Sequence, residues 1–377
     1  MIKRLCMVLM IILLSVRCQI CLAATPVRRL TGPSGVLGPN VPPTMKFRAI
    51  ILKTPGYWQA VAEGSLGGRW VGMGLRLGHQ SFGHALLGRV EGKGIVDLNP
   101  KGFLWSDAEG TDGRWQVGAG QMPGDRGGAL LWPGSAQGVI LLNPRGFKFS
   151  QAISVRAGQE VGYVEASRNL DYAALWRGNA QSFINLNPKG FVSSNAVATD
   201  GAHQVGFGKR LNGKYQALLW RGSAASAVDL NPREYAWSKA MGIGGGKVVG
   251  FGQPKGVKGG HAILWFKSGK RFVDLNPSGC AVSCANGTNG RQEVGYGTSH
   301  IHGMARAMVW NGTPESAIDL QKLLSPRYSF SQAYAITSRG MIFGFASDRS
   351  RKHVVAVEWV PVKKVSVREF RNADGKE

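Results

Sequence analysis

Acidic residues are scarce in this chain: 22 Asp and Glu stand against 46 Lys and Arg, a formal charge of +24 over 377 residues. Few carboxylates are left to work as paired general acids and bases. Cysteine is rarer, with five residues, of which Cys6, Cys18 and Cys21 fall within the first 24 positions. That excludes a disulfide-dense scaffold and a four-thiolate zinc site. No apolar run reaches the roughly 20 residues that cross a bilayer. Gly-x-Ser-x-Gly elbows and His-Glu-x-x-His helices are missing too. The glycines of "GIGGG" (242–246) read as a tight turn between two strands, not a nucleotide loop.

What is present is glycine, 54 residues of it, beside 44% hydrophobic residues. Each interior glycine weakens a helix by roughly 1 kcal/mol, so short strands joined by tight turns fit better. The first 24 residues have the layout of an export signal: Lys3 and Arg4, an apolar run from Leu5 to Val16, and the small residues Ala23 and Ala24 for cleavage. Residues 25–46 are rich in Pro and Gly and read as a linker, and 361–377 as a charged tail. Removing the signal lowers the formal charge from +24 to +21 and leaves Cys280 and Cys284. Four positions apart in an oxidising compartment, these two are expected to form a disulfide.

One phrase keeps returning. "VDLNPKGF" ends at Phe103 and "INLNPKGF" at Phe191, and the Asn-Pro pair stands at 99, 143, 187, 231 and 276, a period of 44 or 45 residues. Thr54-Pro55 and Gln321 extend the beat to seven marks. A Ser-x-Ala element (Ser106, Ser150, Ser194, Ser238, Ser331), a Val-Gly element and an Ala-x-Leu-Trp element keep the same period. In the first unit Gly88 stands where the Trp is due. Each unit thus holds four strand-sized segments; in the fourth they begin at Ser194, Gln204, Gln216 and Ala227. Pro ends a strand and sets a turn that Gly completes.

Four strands per 44 residues, seven times over, predicts an all-β fold: a seven-bladed β-propeller of four-stranded blades over residues 47–360. The chain enters with a spare fourth-type strand, Ala49 to Leu52, and leaves one strand short after Val354 to Trp359. Pairing the two would close the ring and hide an edge. The Trp, Leu and Val ladder then forms the core between blades.

The pattern "HAILW…VDLNP…S…A…VGYG" resembles the HAF family of bacterial extracellular repeats, with His84-Ala85 and His261-Ala262 matching the first two residues of its name phrase. The resemblance spans about residues 47–360 and implies a secreted or surface repeat protein; it carries no catalytic residue across.

In an antiparallel meander, alternate loops share a face. The turns after Asn-Pro therefore lie on the same face as the loops between second and third strands. The turns carry Lys101, Arg145, Lys189 and Arg233, and the loops Arg126, Arg168, Lys209, Arg210, Lys214, Lys255 and Lys258. His79, His300, His302 and His353 fall in such loops of neighbouring units and offer nitrogen ligands for a divalent metal. Asp97, Asp229, Asp274 and Asp319 are repeat-equivalent, which points to strand-end hydrogen bonds. The sequence therefore predicts a monomeric, exported (periplasmic, surface or secreted) binder of an anionic polymer or cell surface, with lipopolysaccharide, acidic polysaccharide or extracellular DNA as candidates. It has no obligatory cofactor and no transmembrane span after signal removal. A polysaccharide-acting lyase or hydrolase, and a scaffold for envelope proteins, are the alternatives.

Overall fold

The computed structural model describes residues 45–362 except 77–81, 91–93, 125, 168–169, 267–268, 270 and 302. The expected export signal, most of the expected linker and nearly all of the expected tail lie outside the described residues, as do His79, His302 and Arg168.

Seven four-stranded antiparallel sheets make a seven-bladed β-propeller. Six blades are built from consecutive strands, over 57–97, 105–141, 150–185, 191–229, 235–274 and 282–319. The seventh takes Phe330–Ile336, Ile342–Ser347 and Val354–Val362, with Lys46–Ile51 as its outermost strand. That strand runs antiparallel to Val354–Val362 and sets Ala49 opposite Trp359. Pairing reaches Lys46 and Val362, so both expected boundaries fall inside a strand. No helix among the described residues is long and apolar enough to cross a membrane.

The repeated phrase does mechanical work. In "NPKGF" the Phe103 N–H donates to the Pro100 carbonyl at 3.1 Å, and Gly102 sits at φ +88°, where a side chain would be strained. Ser106 then donates from Oγ to Asn99 Oδ1 at 2.7 Å and accepts the Ala85 N–H at 3.0 Å from the preceding blade. Asn187–Ser194, Asn231–Ser238 and Asn276–Ser283 repeat the bond at 2.7, 2.6 and 2.6 Å, and Gln321 supplies it to Ser331 at 2.6 Å. At these five turns the motif ties the turn to the blade before it, whereas Asn143 Oδ1 does not take up the bond with Ser150.

Trp132, Trp176, Trp220, Trp265, Trp310 and Trp359 are fully buried in clusters between blades. At the axis a separate apolar cluster joins residues of several blades, among them Val61, Ile153, Val197, Met241, Cys284 and Tyr334. Its geometry comes from one irregularity. Every first strand carries a register shift just after the alanine of its Ser-x-Ala position, such as Ala108/Gly110 and Ala196/Ala198. Such a bulge re-aims the extra residue. The extra residues are Glu63, Glu109, Ile153, Val197, Met241, Asn286 and Tyr334.

Candidate functional site

The turns after Asn-Pro present Lys101, Arg145, Lys189 and Arg233 on four successive blades, all exposed. Lys101, Arg145 and Lys189 each lie between the proline that ends a strand and the glycine that completes the turn, while Arg233 is followed by Glu234. Arg126, Lys214 and Lys255 are also exposed, while Lys209, Arg210 and Lys258 are half-buried.

Blades four and five bring these cations together. A depression of about 650 Å³ is lined by Lys214, Arg233 and Lys255 with Asn212, Gln216, Asp229, Asn231 and Tyr235. Lys214 and Lys255 come from second-to-third hairpins and Arg233 from the turn between the blades. The same depression holds one carboxylate, Asp229, whose pKa is raised by burial. Arg210 braces the wall: its Nε donates to Gln216 Oε1 at 2.5 Å, its Nη2 lies 3.7 Å from Asp229 Oδ2 and its guanidinium stacks 4.3 Å from the Phe191 ring centre. Arg210 is therefore an anchor, and Lys214, Arg233 and Lys255 are the open charges. Lys101, Arg145, Lys189 and Arg126 do not line this depression.

The repeat-equivalent carboxylates are bound at strand ends. Asp97, Asp229 and Asp274 accept the Asn99, Asn231 and Asn276 N–H at 2.8, 2.8 and 2.9 Å, and Asp319 that of Gln321 at 3.0 Å. Their second oxygens explain the two His-Ala positions. His84 Nδ1 and the Tyr57 hydroxyl both meet Asp97 Oδ2 at 2.8 Å. His261 Nδ1 and the Tyr235 hydroxyl meet Asp274 Oδ2 at 2.7 and 3.0 Å. In blade six Arg306 takes the histidine's place, with its Nε 2.8 Å from Asp319 Oδ2.

Of the expected metal ligands, His300 is exposed with its Nδ1 3.1 Å from Ser299 Oγ, and His353 is exposed and pairs through Nδ1 with Asp348 Oδ2 at 2.5 Å. That pairing holds the Asp348 carboxyl down at about 2. His79 and His302 lie outside the described residues.

The expected disulfide is corrected. No bond joins Cys280 to Cys284. Cys284 lies within the first strand of blade six and packs in the axial cluster, where its Sγ donates to Asn286 Oδ1 at 3.4 Å. Cys280 sits in the preceding turn and packs between blades five and six. The two thiols serve different cores, a separation that a count of four positions does not reveal.

A carboxylate group that sequence reasoning missed lies at the axis. Glu63, Asp107 and Glu109 each place an oxygen within 4.8 Å of the others, and all three are buried. Glu63 and Glu109 occupy the bulge position of blades one and two, while Asp107 holds the middle of the Ser-x-Ala element. Aligning that element would have shown acids at positions held elsewhere by Ile153, Val197 and Met241. Gln151 donates from Nε2 to Glu109 Oε1 and accepts the Tyr163 hydroxyl at 2.7 Å. Burial pushes Asp107 up to about 7, against one opposing backbone hydrogen bond. The three oxygens suit either a shared proton or a hard divalent cation.

No family model matches the chain, and no curated protein matches it in sequence. Solved structures do. The β-propeller domain of the trilobed protease from Pyrococcus furiosus aligns with a TM-score of 0.56 at 8% identity, over 80% of this chain and 95% of that one. A puromycin hydrolase gives 0.54 at 11%, over 79% and 52%. An oligogalacturonate lyase in complex with manganese gives 0.51 at 9%, over 85% and 97%. What they share is the propeller. The chain spans about half the length of the puromycin hydrolase, and identities this low speak to fold alone.

Proposed function

We propose that the protein is an exported propeller of the HAF repeat type that binds an anionic polymer through its basic loop face, without turning it over. The observation that carries this reading is the depression between blades four and five, where Lys214, Arg233 and Lys255 converge from three separate loops. A formal charge of +24 gives long-range attraction for polyanions. At physiological salt that field is screened within about 8 Å, so clustered cations in contact with the ligand decide affinity. Lipopolysaccharide, acidic polysaccharide and extracellular DNA all present the required row of anions.

Salt-dependent elution from heparin tests it. Retention should fall steeply between low and high salt. Replacing Lys214, Arg233 and Lys255 together by Ser should weaken retention far more than replacing Arg114, Arg177 and Arg221 on the opposite face. Equal losses would mean diffuse charge and no site.

The axial carboxylates favour a second reading, a polysaccharide-acting enzyme. Against it, Glu63, Asp107 and Glu109 are buried, and a polymer would have to displace the packing around them. Release of new reducing ends or unsaturated products from an acidic polysaccharide, lost in Asp107→Asn, would decide for the enzyme.

A further inference from the structure

Large apolar side chains left exposed are distributed unevenly. Apart from six that sit on, beside or opposite the outermost strands, every one among the described residues lies on the basic face. Phe82, Leu170, Leu211, Val257 and Met304 belong to the second-to-third hairpins of blades one, three, four, five and six. Leu104 and Leu323 belong to the segments between blades, which share that face, and Trp58 is the second residue of the first strand of blade one, just after such a segment. The first-to-second turns and third-to-fourth loops expose none among the described residues.

Single exposed apolar residues are ordinary on any surface. Their confinement to one face, and their setting there, are not. Leu211 stands at a hairpin tip with 85% of its surface open, following Lys209 and Arg210 and preceding Lys214. Val257 lies between Lys255 and Lys258. Apolar tips collared by cations gain nothing from a soluble acidic polymer, which offers charge but no apolar phase. An anionic bilayer offers both: phosphate at the surface for Lys and Arg, and acyl chains just beneath it for the tips. Mostly aliphatic tips also suit acyl chains better than stacked bases, which favour aromatic partners.

We propose that this face docks onto the surface of a bilayer containing anionic phospholipid, with the Leu211 and Val257 tips entering the headgroup–acyl boundary while Lys214, Arg233 and Lys255 meet lipid phosphates. The proposal rests on the polyanion-binding reading of the same face. It goes further in naming an amphiphilic surface as the partner.

Vesicle flotation separates the two. The full chain is mixed with vesicles of phosphatidylcholine alone or with phosphatidylglycerol added, and heparin elution is measured in parallel. Wild type should float with the phosphatidylglycerol vesicles at low salt and stay behind with phosphatidylcholine. Leu211→Ser with Val257→Ser should weaken partition by roughly tenfold or more, the scale of two part-buried aliphatic side chains. Its heparin elution should not move. Both changes are at exposed loop positions, and an unchanged circular dichroism spectrum confirms the fold. Equal flotation of this variant and wild type would overturn the proposal, because charge alone would account for binding. Heparin retention without flotation would also overturn it and leave the polymer reading standing. Binding to neither would remove both.

Discussion

Trp70 and Gly88 face each other across the second and third strands of blade one, and the indole lies 2.1–2.3 Å from where a Gly88 Cβ would stand. The other blades set their Trp on the third strand, as Trp132 opposite Gln116 or Trp220 opposite Gln204. Blade one has exchanged the two, so the missing Trp is not missing from the core. Gly88→Ala should therefore destabilise the fold by about 1–3 kcal/mol through overpacking. Trp70→Gln with Gly88→Trp should recover much of the Trp70→Gln loss. Urea denaturation of these variants and of Gly88→Trp alone checks this, and a strictly additive double variant would refute the exchange.

The bond between Ser194 and Asn187 can be tested in the same way. Ser194→Ala leaves the buried Ala173 N–H without its acceptor and Asn187 Oδ1 without its donor. A loss of about 1–3 kcal/mol is expected. The exposed Ser278→Ala should stay within about 0.5 kcal/mol of wild type.

Asp107 makes stability depend on pH. Folded, it keeps its proton up to about pH 7 because burial disfavours the charge. Unfolded, it ionises near about pH 4. Between those values the folded state holds the extra proton, so stability should fall as pH rises and level off above the folded value. One proton sets a ceiling of about 1.4 kcal/mol per pH unit on the slope. Asp107→Asn should flatten that part of the profile, read from denaturation midpoints between pH 4 and 8. An unchanged slope would place the titration elsewhere.

With no disulfide, both cysteines should carry thiols in the protein purified without reductant. Cys280 is half-buried, and burial raises its pKa, so a maleimide should label it slowly near neutral pH and faster as pH rises. Cys284 is buried and should react only after unfolding. Mass spectrometry of native and denatured samples reads both.

The period made the propeller legible, because each Asn-Pro turn, Ser-x-Ala strand and Trp strand performs the same local task in every blade. Departures from the period were harder to read. A repeat treats Lys101, Arg145, Lys189 and Arg233 as equals, yet among the described residues Arg233 is the one that shares a depression with two hairpin lysines, Lys214 and Lys255. The acids at the axis escaped for a related reason. A bulge shifts side-chain parity, so Glu63 and Glu109 look like surface positions under simple alternation. Cys280 and Cys284 failed likewise, since a turn separates them and their spacing says nothing about which core each side chain enters.

The bulged first strands also set what the blades turn toward one another at the middle of the ring. Ile153, Val197, Met241 and Tyr334 bring apolar side chains into one shared cluster, while Glu63 and Glu109 bring carboxylates at the same bulge position. A partner bound through the proposed basic loop face would meet the propeller on one side and leave the opposite face open to a second contact.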